Sequence, residues 1–240
     1  MAPRNRPRNR TTRLAAMIAF GALVLLPGAG CDPRTLLYFL QPFEPTIPAP
    51  GPSLKGRKII ILTHATPAAQ ADSLGIDTEI NRELRRIFRE KVKKIEIVDE
   101  KKVADWVEAH PNWTDPSEAI KAFEADVAIV LELEAFEYQN SNSPGLLQGN
   151  SRTHIQLIEI DHPKNSKGKR MTDQPKEVNT AYDDYRDTVF PVRGPVSVES
   201  GVSPASFKKK FVKVVAAEIS WHFVEHAPGD DIQDVKFNNN

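Results

Sequence analysis

Residues 126–137 read DVAIVLELEAFE, and the pattern changes halfway along. From Val127 to Leu131 every residue is apolar, as in a strand covered on both faces, whereas from Glu132 onward charged and apolar residues alternate, as in a strand with one face in water. A single strand of both kinds runs from the covered centre of a sheet towards a solvent-facing end. The turn-rich stretch QNSNSPGLLQGN at 139–150 then leads to a partner strand predicted over 153–161, so the two form a long β-hairpin.

Working outward, KIIILT at 58–63 is another strand of the buried type, bounded by Gly56 and Pro67. The spacing of Ile80, Leu84, Ile87, Phe88 and Val92 predicts an amphipathic helix over 77–94. A short strand follows at 95–98, and Asp99 is placed to cap a second helix through Glu108 with Val103, Trp106 and Val107 inward. Pro111 and Pro116 break the chain, and residues 117–124 make a further helical turn or two. After the hairpin come a weaker strand at 178–191 and a last helix predicted from Pro204 to His226, capped by Ser203 and stopped by Pro228-Gly229. This order predicts a single α+β domain over 57–228: a mixed β-sheet with amphipathic helices packed mainly on one face, the long hairpin, and a C-terminal helix. A chain of 240 residues with 40% hydrophobic content can bury one core of that size.

Three segments carry a resemblance. KIIIL at 58–62, IEIVDEKKV at 95–103 and EADVAIV at 124–130 are similar to corresponding stretches in envelope domains of the curli-secretion lipoprotein (CsgG) type and in the amino-terminal domain of TolB. Where those families carry Pro-Phe after the first strand, this chain has Thr63-His64. The resemblance implies a non-enzymatic periplasmic module that binds or organises other envelope proteins, and it carries no catalytic residue over.

The first 30 residues have the anatomy of a secretory signal: arginines at 4, 6, 8, 10 and 13, an apolar run from Leu14 to Leu26, and Gly28-Ala29-Gly30 before Cys31. The apolar run is shorter than the roughly 20 residues of a membrane span. Two small residues before the sole cysteine resemble a bacterial lipoprotein signal, which implies an acylated Cys31 that inserts in the bilayer; an ordinary secreted protein cut after Ala29 or Gly30 is the alternative. A lone free thiol is a liability in an oxidising compartment, whereas a lipidated one is occupied. Five prolines between 42 and 52 then favour extended backbone, so residues 31–56 read as the lipidated cysteine and a proline-rich tether, and 229–240 as a disordered tail. Without residues 1–30 the chain has 27 basic and 32 acidic residues, a balance that argues against nucleic acid as a partner.

Candidate chemistry is sparse. No phosphate loop, dinucleotide fingerprint or serine elbow occurs. His222, Glu225 and His226 form H-x-x-E-H, a zinc signature in which the histidines are the ligands and the glutamate the base of a hydrolase. On a helix continuing to His226 the two histidines lie one turn apart and could share a metal, but they also extend the apolar stripe of Phe207, Phe211, Val215 and Ile219. A catalytic zinc needs a third protein ligand. The remaining fourteen residues contain Asp230, Asp231 and Asp234 but no glutamate, which leaves His64, His110 or His154 as other sources. Tyr182-Asp183-Asp184-Tyr185 with Asp187 lacks the glycine turn of a calcium loop. Lys164, Lys167, Lys169 and Arg170 form a basic run that reads as a solvated loop, with anionic headgroups as an alternative. Leu146-Leu147 sits at the expected hairpin tip, either folded back on the core or offering a contact to a partner. These features favour a lipid-anchored envelope protein that binds other envelope components without catalysis and without a cofactor; a zinc hydrolase at 222–226 is the competing reading.

Overall fold

A computed structural model describes residues 45–228 apart from 72, 112, 140–142, 144 and 162–176. Cys31 and the rest of 1–44, the basic run at 164–170 and the tail at 229–240 lie outside the described residues.

The sheet is mixed. Strand β1 (Lys58–Ala65) pairs in parallel with the two-residue β2 (Glu96–Ile97) on one side and with β3 (Val127–Gln139) on the other. Antiparallel pairing continues from β3 to β4 (Leu146–Asp161) and from β4 to β5 (Glu177–Phe190), with β6 (Val196–Ser197) joined to the start of β4. The order across the sheet is β2-β1-β3-β4-β5.

The helices start where side chains can satisfy their first N–H groups. Thr66 caps α1 (Pro67–Gln70), Asp99 caps α3 (Glu100–Ala109), Asp115 caps α4 (Pro116–Ala122) and Ser203 caps α5 (Pro204–Ser220). Helix α2 (Ile76–Lys91) begins instead at Gly75 in the left-handed conformation, with Asp77 and Glu79 at its positive end and Arg89 and Lys91 at its negative end.

Two layers of helix explain the two halves of β3. On one face Ile59, Ile61, Ile129, Leu131, Leu133 and Leu157 pack against Leu84 and Phe88 of α2 and Phe211 and Val215 of α5. On the reverse face Ile60, Leu62, Ala128 and Ile158 meet Val103 of α3 and Ile120 of α4. The apolar run from Val127 is therefore covered on both sides. Farther along, Glu132 and Glu137 reach water while Leu133 and Phe136 stay buried, and the Phe136 ring stacks on Phe211 with centroids 4.9 Å apart. A register shift between Leu133 and Ala135 lets Leu133 and Phe136, three residues apart, share the covered face.

Three expectations are corrected. The partner strand of the hairpin starts at Leu146 and not at 153, so Leu146 and Leu147 are strand residues paired with Ser197 and Val196 and not a turn tip. Leu147 is fully buried in the core and Leu146 is 38% exposed, because successive strand side chains point to opposite faces. Trp106 and Val107 face inward as expected, half-buried against the reverse-face core, and Trp106 also stacks on His110 at 4.5 Å. The closing helix ends at Ser220 and not at His226: His222 N–H bonds to the Ile219 carbonyl, and Phe223 and Val224 N–H both bond to Ser220, which tightens the chain into a turn.

The third correction concerns the tether. Residues 47–54 are docked on the domain: Ile47 and His226 exchange backbone hydrogen bonds of 2.7 and 3.2 Å, Gly51 N–H donates to the His222 carbonyl at 2.8 Å, and Leu54 is 1% exposed in the main core. Extended backbone has no internal hydrogen bonds, so the N–H groups of the residues between the prolines are free to bond another segment. The folded domain therefore begins near Ile47, not at 57.

Candidate binding surface

The early end of α5 disperses the zinc signature. Past Ser220, His222 turns inward towards β5, while His226 stacks on Trp221 at 4.4 Å and pairs with Ile47 through its backbone; Glu225 is exposed. His222 is buried, its Nδ1 lies 2.7 Å from the Tyr182 hydroxyl and 3.7 Å from Asp184, and its partners are polar side chains of β5. The other histidines are elsewhere: His64 is exposed at the end of β1, His110 stacks on Trp106, and His154 contacts Asp183 at 2.7 Å. Among the described residues no group of three or more His, Cys, Asp or Glu is placed to hold a metal ion.

Strand β5 divides the acidic run of the sequence between two faces, which separates the carboxylates that a calcium loop would have gathered. Tyr182, Asp184, Arg186 and Thr188 turn towards α5. The Tyr182 hydroxyl donates to Asp184 at 3.0 Å, and its remaining contact is His222 Nδ1; with the phenol proton so committed, the Nδ1–H tautomer of His222 completes the relay. Burial, then the Asp184 carboxylate, pushes the Tyr182 phenol up to about 12. Burial holds the His222 imidazole below its ordinary value, with Asp184 opposing and Arg186 reinforcing the shift. Further along, Glu218 of α5 accepts from Arg186 at 2.7 Å and from Thr188 at 2.8 Å, and the Arg186 guanidinium lies 5.6 Å over the Trp221 ring.

On the opposite face Asp183, Tyr185 and Asp187 meet β4. Asp183 accepts from Gln156 and bonds His154, contacts that hold its carboxyl below the usual range in that order. The Tyr185 ring stacks on His154 at 4.4 Å, and Arg152 lies 5.0 Å over it while reaching Glu134 at 3.1 Å.

The main feature of β5 is its position. It has 14 residues and stands at the end of the sheet, paired with β4 alone among the described residues. Along its other rim no strand among the described residues pairs with it, and Val178, Tyr185 and Val189 are exposed apolar side chains beside it. In the sequence this segment is a weak strand because tyrosine and charged residues stand at its centre, Tyr182-Asp183-Asp184-Tyr185-Arg186-Asp187, in place of valine and isoleucine, with no clean alternation to mark it.

No helix among the described residues is long and apolar enough to cross a membrane. No family model matches this chain, and no curated protein matches its sequence. Solved structures with a similar arrangement include the PelC dodecamer from Paraburkholderia phytofirmans, at 10% identity and a TM-score of 0.36 over 75% of this chain and 97% of that one. The hypothetical protein CT253 from Chlamydia trachomatis aligns at 12% identity and a TM-score of 0.40, over 69% of this chain and 96% of that one. Lipoprotein GNA1162 from Neisseria meningitidis aligns at 9% identity and a TM-score of 0.39, over 70% of this chain and 99% of that one. Likeness of this degree assigns neither a family nor an activity.

Proposed function

We propose that this protein is a lipid-anchored module of the cell envelope that binds and organises other envelope proteins without catalysis, and that it does so by strand addition at the outer rim of β5. One observation carries the binding surface: a 14-residue strand at the end of the sheet with a row of main-chain donors and acceptors facing away from β4. A long edge of this kind is a template for another extended chain, which gains main-chain hydrogen bonds along its length. The strand contains four acidic residues and one basic residue, so its complement is an extended segment carrying lysine or arginine. The anchor rests on the sequence before the domain, where the apolar run and the small residues lead to Cys31. The CsgG and TolB resemblance of 58–62, 95–103 and 124–130 points to the same class of function.

Two measurements test it. A photoreactive residue placed at Asn179 or Asp187 should crosslink to another envelope protein in intact cells, whereas the same residue at Glu90 on α2 should not. Adducts from Glu90 alone, or none from β5, would overturn the strand-addition reading. Metabolic labelling with an alkyne-bearing palmitate should mark the wild-type protein and not Cys31→Ser; labelling that survives the substitution would overturn the anchor.

A further inference from the structure

The chain leaves β1 through α1 and α2, packed on one face, to reach β2; it leaves β2 through α3 and α4, packed on the other face, to reach β3 on the far side of β1. Strand β1 is therefore a switch point, and in sheets of this kind a crevice opens outside the carboxyl end of the strand where the connections diverge. A cavity of about 330 Å³ lies at that place, between α2 and α3, with Thr63 and His64 of β1 in its wall.

Inside it is a cation with an unused donor. Arg85 is 2% exposed; its Nε donates to Asn81 at 2.6 Å and its Nη1 to the Val98 carbonyl at 2.6 Å, while Nη2 is buried with no hydrogen-bond partner among the described residues. The guanidinium is held in place from behind, since Asn81 in turn donates to the Thr63 hydroxyl at 2.6 Å. A buried charged donor left unpaired is costly, so a rigidly placed one lining a cavity is a site for an acceptor. The other charges of the wall are acidic: Glu100 is paired with Arg82 at 3.8 Å, and Asp77 and Glu108 carry no ion pair among the described residues. Val107 and Trp113 supply apolar surface.

We propose that this crevice binds a small zwitterion, an amino acid or short peptide, with its carboxylate on Arg85 Nη2 and its ammonium group towards Asp77 and Glu108. A phosphate-like anion of higher charge meets two uncompensated carboxylates, and a simple cation leaves Nη2 unpaired; a ligand with both ends satisfies both. The cavity volume is in the range of small-molecule sites. The inference is independent of the β5 rim.

The test is calorimetric titration of the purified full-length protein with the L-amino acids and their dipeptides, and with the N-acetyl and C-amide forms of any that bind. Saturable binding that falls by about tenfold or more when either end of the ligand is blocked is expected, tenfold being the loss of one modest charged contact. Arg85→Lys should abolish it, and because that change also touches the fold, Asp77→Asn at the mouth provides a second variant, which should weaken the zwitterion while circular dichroism stays as in the wild type. Absence of binding at millimolar ligand, equal binding of the blocked forms, or equal binding of inorganic phosphate alone would each overturn the proposal and leave Arg85 a structural residue.

Discussion

The carbonyl oxygen of His222 accepts a hydrogen bond from the backbone N–H of Gly51 at 2.8 Å. This bond joins the stretch that reads as a free tether to the stretch that reads as a metal motif, and it changes the meaning of both. A Cβ on Gly51 would stand 2.5 Å from that oxygen and 3.1 Å from the Phe223 ring, so only glycine allows the approach. Gly51→Ala is expected to lower stability by about 1–3 kcal/mol, as overpacking of a close contact does, and to open residues 45–54 to limited proteolysis. A urea titration and a digestion time course check this; unchanged midpoints and cleavage would mean that the strap is not docked in solution.

Leu146 and Leu147 should differ sharply although they are adjacent. Leu147→Ala removes a fully buried side chain and should cost about 2–5 kcal/mol. Leu146→Ala, at a site 38% exposed, should stay within about 1 kcal/mol, near the range of surface changes. Chemical denaturation of the two variants decides between a strand and a turn tip at this point. Equal losses would contradict the strand register.

Glu218 is 7% exposed and accepts from both Arg186 and Thr188. Glu218→Ala leaves the Thr188 hydroxyl buried without its acceptor and Arg186 without its counter-ion, and should cost about 1–3 kcal/mol, less than a fully buried pair because Arg186 is partly solvated. Glu218→Gln keeps an acceptor oxygen and should cost less. Thermal melts of the two variants, ranked, test the network; Glu218→Gln as damaging as Glu218→Ala would place the effect in the charge alone.

Burial keeps the His222 imidazole pKa below its ordinary value of 6.5. The unfolded chain then binds the proton more readily than the folded one, so stability rises with pH across the interval between the folded value and 6.5, and is lost as pH falls through it. The slope from this group cannot exceed about 1.4 kcal/mol per pH unit. The stability of His222→Asn, which keeps a donor towards Tyr182, should be flatter than that of the wild type below pH 6.5. Parallel pH profiles for the two proteins would remove His222 as a contributor. Zinc analysis of the same wild-type preparation tests the hydrolase reading directly, since a stoichiometric ion would require ligands besides His222 and His226.

Much of the architecture was legible in residue order. The switch from a continuous apolar run to alternation within β3 reported a strand covered on two faces and then on one, and Asp99 and Ser203 marked helix starts because a capping side chain acts within three residues of itself. The candidate sites were far less legible. Asn81 and Arg85 lie one residue after Ile80 and Leu84 on α2, and nothing in their spacing distinguishes a buried guanidinium from a solvated one; the difference comes from the Val98 carbonyl and α3 closing over it.

Sequence alone determined the kinds and order of the longer elements and the class of the domain, because periodicity and capping are local properties of the chain. Tertiary structure decided where α5 stops, where 47–54 dock, and that β5 ends the sheet among the described residues. Each of these depends on partners more than 25 residues away: Ile47 with His226, Gly51 with His222, Arg186 with Glu218. Contacts of that kind leave no pattern in either partner's own neighbourhood, so H-x-x-E-H kept its spelling while the fold sent its two histidines to different neighbours.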